Sequence, residues 1–116
     1  MTAIPPPQPS GDQLLKVFAA LGNPHRMRIV GALVDDGRNY VSRLARELEI
    51  GRPLLHMHLK VLEAAGLVKG SLETAQDGKA MKYFEVTPFC YDLSPGLVAE
   101  AARTLTEEEK TKESAK

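Results

Sequence analysis

The apolar positions of the chain change period after residue 66, and that change separates helical segments from a short ribbon. Between residues 41 and 67, Leu44, Ala45, Leu48, Ile50, Leu55, Leu59 and Leu62 recur at helical spacing on either side of Glu49-Ile50-Gly51. Two short helices joined by a tight turn fit this pattern, a helix-turn-helix. Ser42 is the expected N-cap of the first helix. Gly51 stands where the chain turns and restarts, and Pro53 falls in the first turn of the second helix, where a missing N–H costs nothing. That second helix, expected over 52–65, stops at Ala65-Gly66-Leu67. Gly66 suits the left-handed position there, and Leu67 can fold back on Leu62.

Two further helices precede this unit. One starts near Ser10 or Asp12 and ends at Leu21-Gly22, with Leu14, Leu15, Val17, Phe18 and Leu21 covering more than half of its circumference. A helix this apolar needs partners on two sides, its own core and something beyond it. Asn23-Pro24 gives an N-cap followed by proline at the first helical position. The helix it starts runs through Met27, Val30, Leu33 and Val34 to Asp35-Asp36-Gly37, and Asn39-Tyr40-Val41 is a short extended link. After Gly66, near-alternation over 67–74 and 79–87 on either side of Ala75-Gln76-Asp77-Gly78 predicts a hairpin with a loop longer than two residues. Val68, Tyr83, Phe84 and Val86 suit such a ribbon. Ser94-Pro95 then caps a last helix with Leu97, Val98, Ala101 and Leu105 on one stripe.

The expected fold class is mainly α with a small β-hairpin (α+β): a winged helix-turn-helix with an extra C-terminal dimerisation helix. Its domain spans 11–106, between a disordered Pro-rich tail at 1–10 and a charged flexible tail at 107–116. Leu14, Leu15, Phe18, Leu97, Val98, Ala101 and Leu105 are the candidate dimer interface of a homodimer.

Composition changes this picture little. A chain of 116 residues is enough for one domain with a modest core. Its 15 basic and 15 acidic residues balance, so no global positive field announces nucleic acid. Within the helix-turn-helix, however, Arg43, Arg46, Arg52 and Lys60 outnumber Glu47 and Glu49, and acid gathers at Asp35-Asp36 and Glu107-Glu108-Glu109. The absence of a long apolar run or a charged-then-apolar leader points to a cytoplasmic protein with no membrane partner. Cys90 is the one cysteine, set in apolar Pro88-Phe89-Cys90-Tyr91; it reads as a small buried hydrophobe, or alternatively as a redox sensor.

Placing Leu55, Leu59 and Leu62 against the core turns Arg52, Pro53, His56, Met57 and Lys60 outward. In a major groove Arg52 could bond guanine O6 and N7, and His56 a base edge or phosphate. Met57 could meet a thymine methyl, and Lys60 suits a phosphate. Ser42 and Arg43 on the preceding helix, with Gln76, Lys79 and Lys82 on the ribbon, complete the candidate DNA-binding set. His56 and His58 lie two apart and cannot chelate one metal together, and His25 has no neighbouring thiol or acid in sequence. No metal site is expected, and His58 reads as a semi-buried residue against a neighbouring helix. With no Gly-rich phosphate loop, no nucleophile-His-acid set and no paired carboxylates, neither catalysis nor a cofactor is expected.

Three stretches carry a family resemblance. Residues 18–30, FAALGNPHRMRIV, are similar to an "ALADPTRLRIL"-like opening; residues 50–62, IGRPLLHMHLKVL, to a recognition helix of the form "LSQPTVSHHLKVL"; and residues 63–68, EAAGLV, to the "REAGLV" that leads into a wing. Over roughly 12–106 the chain resembles the ArsR/SmtB family of winged-helix transcriptional repressors. The resemblance implies a homodimer that binds double-stranded DNA at a partly palindromic operator, with its two recognition helices in successive major grooves roughly 34 Å apart, and that lets go on binding an effector. The chain departs from the family pattern at Gly51-Arg52 and His56, so its base preference should differ. The Cys-x-Cys pair of many members has no counterpart at 41–46, and 95–110 contain no Asp or His. The effector is therefore expected to be non-metal, redox-borne through Cys90, or absent. Two functions stay open on the sequence: a sequence-specific DNA-binding transcriptional regulator, read as a repressor, and a winged-helix protein-contact module without specific DNA binding.

Overall fold

A computed structural model describes residues 8–106; most of the Pro-rich segment and the whole charged tail expected at 107–116 lie outside the described residues. The elements in order are α1 (Gly11–Leu21), α2 (Pro24–Asp36), β1 (Asn39–Tyr40), α3 (Val41–Leu48), α4 (Arg52–Ala64), β2 (Val68–Thr74), β3 (Ala80–Val86) and α5 (Pro95–Ala102). The chain is a winged helix-turn-helix. The described residues gather into two compact units, Lys16–Cys90 and a second unit formed by the described residues before and after it.

In the larger unit the core is made of Ile29 and Leu33 from α2, Leu44 and Ala45 from α3, Leu55, Leu59 and Leu62 from α4, and Leu67, Val68 and Phe84 at the base of the wing. Asn23 caps α2 as its sequence signals, its Oδ1 accepting from the N–H groups of His25 (2.9 Å) and Arg26 (3.2 Å). Met27 and Val34 are exposed at 62% and 63%. The inner face of that helix runs through Ile29 and Leu33, and the apolar count along α2 exceeds what its one buried stripe can hold. The extended link is a strand: β1 pairs with β3 antiparallel, Asn39 opposite Phe84 and Tyr40 opposite Tyr83. The sheet order is β1-β3-β2, so the hairpin is anchored on one side rather than standing as an isolated ribbon.

Both helices of the helix-turn-helix end in the same way. At the end of α4 the Gly66 N–H bonds the Glu63 carbonyl (2.9 Å), and the Leu67 N–H bonds the Leu62 carbonyl (3.0 Å). This is a Schellman ending with Gly66 at φ 78°, and Leu62 and Leu67 are both fully buried, as the sequence suggests. At the end of α3 the Glu49 N–H bonds the Arg46 carbonyl and the Ile50 N–H bonds the Ala45 carbonyl, at 3.3 and 3.0 Å. Here the left-handed residue is Glu49, at φ 56°. Gly51, at φ −63°, is the N-cap of α4. Ser42 does not cap α3: the cap position is Tyr40, whose side chain makes no capping bond, and Ser42 lies inside the first turn.

In the smaller unit the start of α1 is tied to the end of α5. Ser10 Oγ accepts from the Gln13 N–H, and the Gly11 N–H donates to Thr104 Oγ1 at 2.8 Å. Thr106 bonds the Asp12 carboxylate through both its N–H and its hydroxyl. A Cβ on Gly11 would stand 2.4 Å from the Ala101 carbonyl oxygen and 2.6 Å from the Leu105 side chain, so only glycine allows this approach. Ser94 caps α5 through the Leu97 N–H (3.1 Å). The helix ends at Ala102, which leaves Leu105, expected on its stripe, in the turn that follows.

Candidate nucleic-acid interface

The outer face of α4 is assembled by the packing of its inner face. With Leu55, His58, Leu59 and Leu62 buried, the 3.6-residue period leaves Arg52, Pro53, His56, Met57 and Lys60 exposed. Leu54 is exposed too, at 43%, next to Met57 at 46%, so an apolar patch lies between the cationic positions. No side chain caps the start of α4, which leaves the N–H groups of its first turn open beside Arg52. Neither Arg52 nor Lys60 makes an ion pair among the described residues, which leaves both cations free for an outside anion.

The preceding helix supplies a second edge. Arg43 is exposed and oriented by an i,i+4 pair, Nε to Glu47 Oε2 at 3.0 Å. Glu47 is held in turn by the buried Asn39, whose Nδ2 donates to Oε1 at 3.2 Å. Arg43 is thus partly neutralised, and as an exposed pair the bridge adds little stability. Ser42 is half-buried.

On the wing, Gln76 and Lys79 sit in the loop. The Lys79 N–H donates to Asp77 Oδ1 at 3.0 Å, and the loop is closed by the Ala75 N–H to the Lys79 carbonyl at 2.8 Å. Lys82, expected at the tip, lies within β3 opposite Leu72, with its ammonium 5.4 Å from the centre of the Phe84 ring. The wing is braced by a contact that sequence spacing gives no sign of. Arg38 forms a two-pronged pair with Glu73, 35 residues away, and lies 4.4 Å over the Tyr83 ring, which meets Tyr40 edge-on. The bond from Arg38 holds the Glu73 carboxyl below its ordinary range.

His58 is the one polar side chain on the inner face of α4, 3% exposed. Its Nδ1 accepts from Arg26 Nε at 3.1 Å, and its ring stacks on His25 with centroids 5.6 Å apart. Burial first, then the cationic Arg26 and then His25, push its pKa below the ordinary histidine value. His58 packs against a neighbouring helix as expected, but more deeply. Cys90, expected to be buried, is exposed; the residues after β3 leave the core and the thiol goes with them.

Metal chemistry does not fit these residues. Among those described, no cluster of three or more His, Cys, Asp or Glu side chains is placed to hold an ion, α3 carries no thiol, and α5 carries neither His nor Asp. No helix among the described residues is long and apolar enough to cross a membrane.

Of the candidate dimer residues, Leu15, Phe18, Val98 and Leu105 are exposed between 42% and 50%, Leu97 is half-buried, and Leu14 and Ala101 are buried within the chain.

Known proteins match this geometry. Residues 21–70 match the family described as Helix-turn-helix domain. An uncharacterized HTH-type transcriptional regulator of Methanocaldococcus jannaschii is 34% identical over 76 residues, 66% of this chain and 78% of that one. The HTH-type transcriptional repressor SmtB of Mycobacterium tuberculosis is 39% identical over 66 residues, 57% of this chain and 48% of that one. The solution structure of a homodimeric winged helix-turn-helix DNA-binding domain from Mycobacterium bovis, a possible ArsR-family regulator, superposes with a TM-score of 0.58 at 22% identity, over 79% of this chain and 74% of that one. These relatives and this fold are those of transcriptional regulators and not of enzymes. The helix-turn-helix with its free outer face, the wing braced against β1, and the M. jannaschii relative matched over 78% of its length agree: the chain belongs to the HTH-type transcriptional regulators and has the winged helix-turn-helix fold of ArsR-family structures.

Proposed function

We propose that the protein is a homodimeric repressor that binds an inverted-repeat operator, with α4 of each protomer in a major groove and the wing on the flanking backbone. The observation that carries this reading is the outer face of α4, where Arg52, His56 and Lys60 stand free around Met57 and Pro53. Arg52 at the helix start offers a fork to guanine, Met57 an apolar contact to a thymine methyl, and Lys60 a charge for phosphate. Arg43, Ser42, Gln76, Lys79 and Lys82 contribute backbone contacts at the two edges. The SmtB relative is a repressor and the M. bovis domain a homodimer, which supports both parts of the proposal. The exposed Leu15, Phe18, Val98 and Leu105 supply apolar surface for a second copy. With no donor set for a metal among the described residues, release from DNA falls to a non-metal effector or to oxidation of the exposed Cys90.

Sequencing of genomic fragments bound by the purified protein at near-physiological salt tests this. An enriched inverted repeat with half-sites about one helical turn apart is the expected result. A folded, dimeric protein with no enriched motif would sink the proposal and favour the protein-contact module, with Leu54 and Met57 as its patch.

A further inference from the structure

We infer that Arg26 and His58 form a latch that sets the orientation of the outer face of α4, and that a proton taken up by His58 opens it. The inference rests on the reading of α4 as the DNA-contacting helix. The remaining inner residues of α4, Leu55, Leu59 and Leu62, are aliphatic and fully buried, and contacts of that kind are non-directional. They set which face of α4 turns outward, but they supply no directional bond to fix its exact rotation. His58 is different. It stands one residue from Met57 and two from both His56 and Lys60, and among the described residues its ring makes one directional bond, to Arg26 on α2. Arg26 is itself fixed: its backbone N–H is capped by Asn23, and its Nη1 donates to the Ala19 carbonyl in the last turn of α1 at 3.1 Å. The guanidinium thus ties the end of α1 and the start of α2 to the middle of α4.

The latch needs a neutral ring. Arg26 stays protonated and can only donate, so Nδ1 must be the accepting nitrogen, and the proton sits on Nε2, which is buried and without a partner among the described residues. A second proton would go to Nδ1. It would then face the Arg26 N–H, donor against donor, with two cations 3.1 Å apart. The groups acting on the ring are Arg26 and His25, both on α2, and neither is an acid. From α3 and β2, the other elements packed on α4, no described side chain gives the ring a hydrogen bond or an ion pair. Nothing there offsets the added charge. Because folding lowers the pKa of His58, its contribution to the latched state is complete above the free histidine value of about 6.5 and is lost as pH falls below it.

The test uses the full chain, isotope-labelled, with its wild-type sequence and as His58→Asn and Arg26→Gln. Asparagine places an amide oxygen near the Nδ1 position and does not titrate. Glutamine keeps a neutral donor. Two readings are taken between about pH 7.5 and pH 5.5: the NMR shifts of the α4 amides with the His58 ring, and affinity for the selected fragment at fixed salt. In the wild type the amides of α4 should move with the midpoint of the His58 ring, and specific affinity should fall about tenfold more than in His58→Asn. Arg26→Gln should show a smaller pH loss than the wild type. The His58→Asn chain keeps His25 and His56, so the difference between the two chains belongs to position 58. Equal pH loss in wild type and His58→Asn, or α4 amides that ignore the His58 titration, would overturn the latch. If no fragment binds at any pH, the DNA-reading function fails, and the amide titration alone then decides for or against the latch.

Discussion

The inner and outer faces of α4 are written in different chemistry and answer to different constraints. The inner face, Leu55, His58, Leu59 and Leu62, fills space left by α2, α3 and β2, and each side chain is fixed by contacts within the chain. The outer face, Arg52, Pro53, His56, Met57 and Lys60, touches nothing that would prefer these residues over other polar ones. Under the proposed function, stability is concentrated on one side of a single helix and recognition on the other. Apart from His58, whose bond to Arg26 joins the two, a substitution should change one property and leave the other alone.

The strongest way to break that separation is from inside. Leu59→Ala should cost about 2–5 kcal/mol of stability, measured by denaturant unfolding, while the fraction that remains folded binds DNA as before. From outside, Arg52→Ala should weaken binding to the selected operator by about 1–3 kcal/mol and relax its sequence preference, with the melting temperature unchanged. Retained preference would remove Arg52 from the reading set. The two helix ends sharpen the comparison next. Gly66→Ala, at φ 78°, should destabilise by about 1–2 kcal/mol, and Glu49→Gly, at φ 56°, should stabilise by up to about 1 kcal/mol. Equal effects at the two positions would mean that Glu49 is held by contacts beyond its backbone. Lys60→Ala should have the smallest effect: uniform weakening across sequences, with the salt slope reduced by about one.

Much of this is legible in the sequence. The spacing of leucines on α4 separates its two faces, Asn23-Pro24 marks a capped start, and Ala65-Gly66-Leu67 marks a Schellman end, because each is a local signal with a local cause. The misses share a reason. Cys90 sits in an apolar sequence but follows a strand end where the chain leaves the core. Ser42 has a good capping side chain, yet β1 pairs with β3 and the cap position falls two residues earlier, at Tyr40. The bond from Arg26 to His58 spans 32 residues, and the brace from Arg38 to Glu73 spans 35. No periodicity encodes a meeting of that kind; it exists only once the elements have packed.

The brace at the base of the wing has a practical use. The chain has no tryptophan and three tyrosines, and two of these, Tyr40 and Tyr83, meet edge-on with centroids 5.6 Å apart where β1 joins the hairpin. The intrinsic ultraviolet emission and near-ultraviolet dichroism of the unlabelled protein therefore come in large part from the hinge of the wing. Detachment of the ribbon can be watched without a dye, with the signal of Tyr91 subtracted by a Tyr91→Phe control.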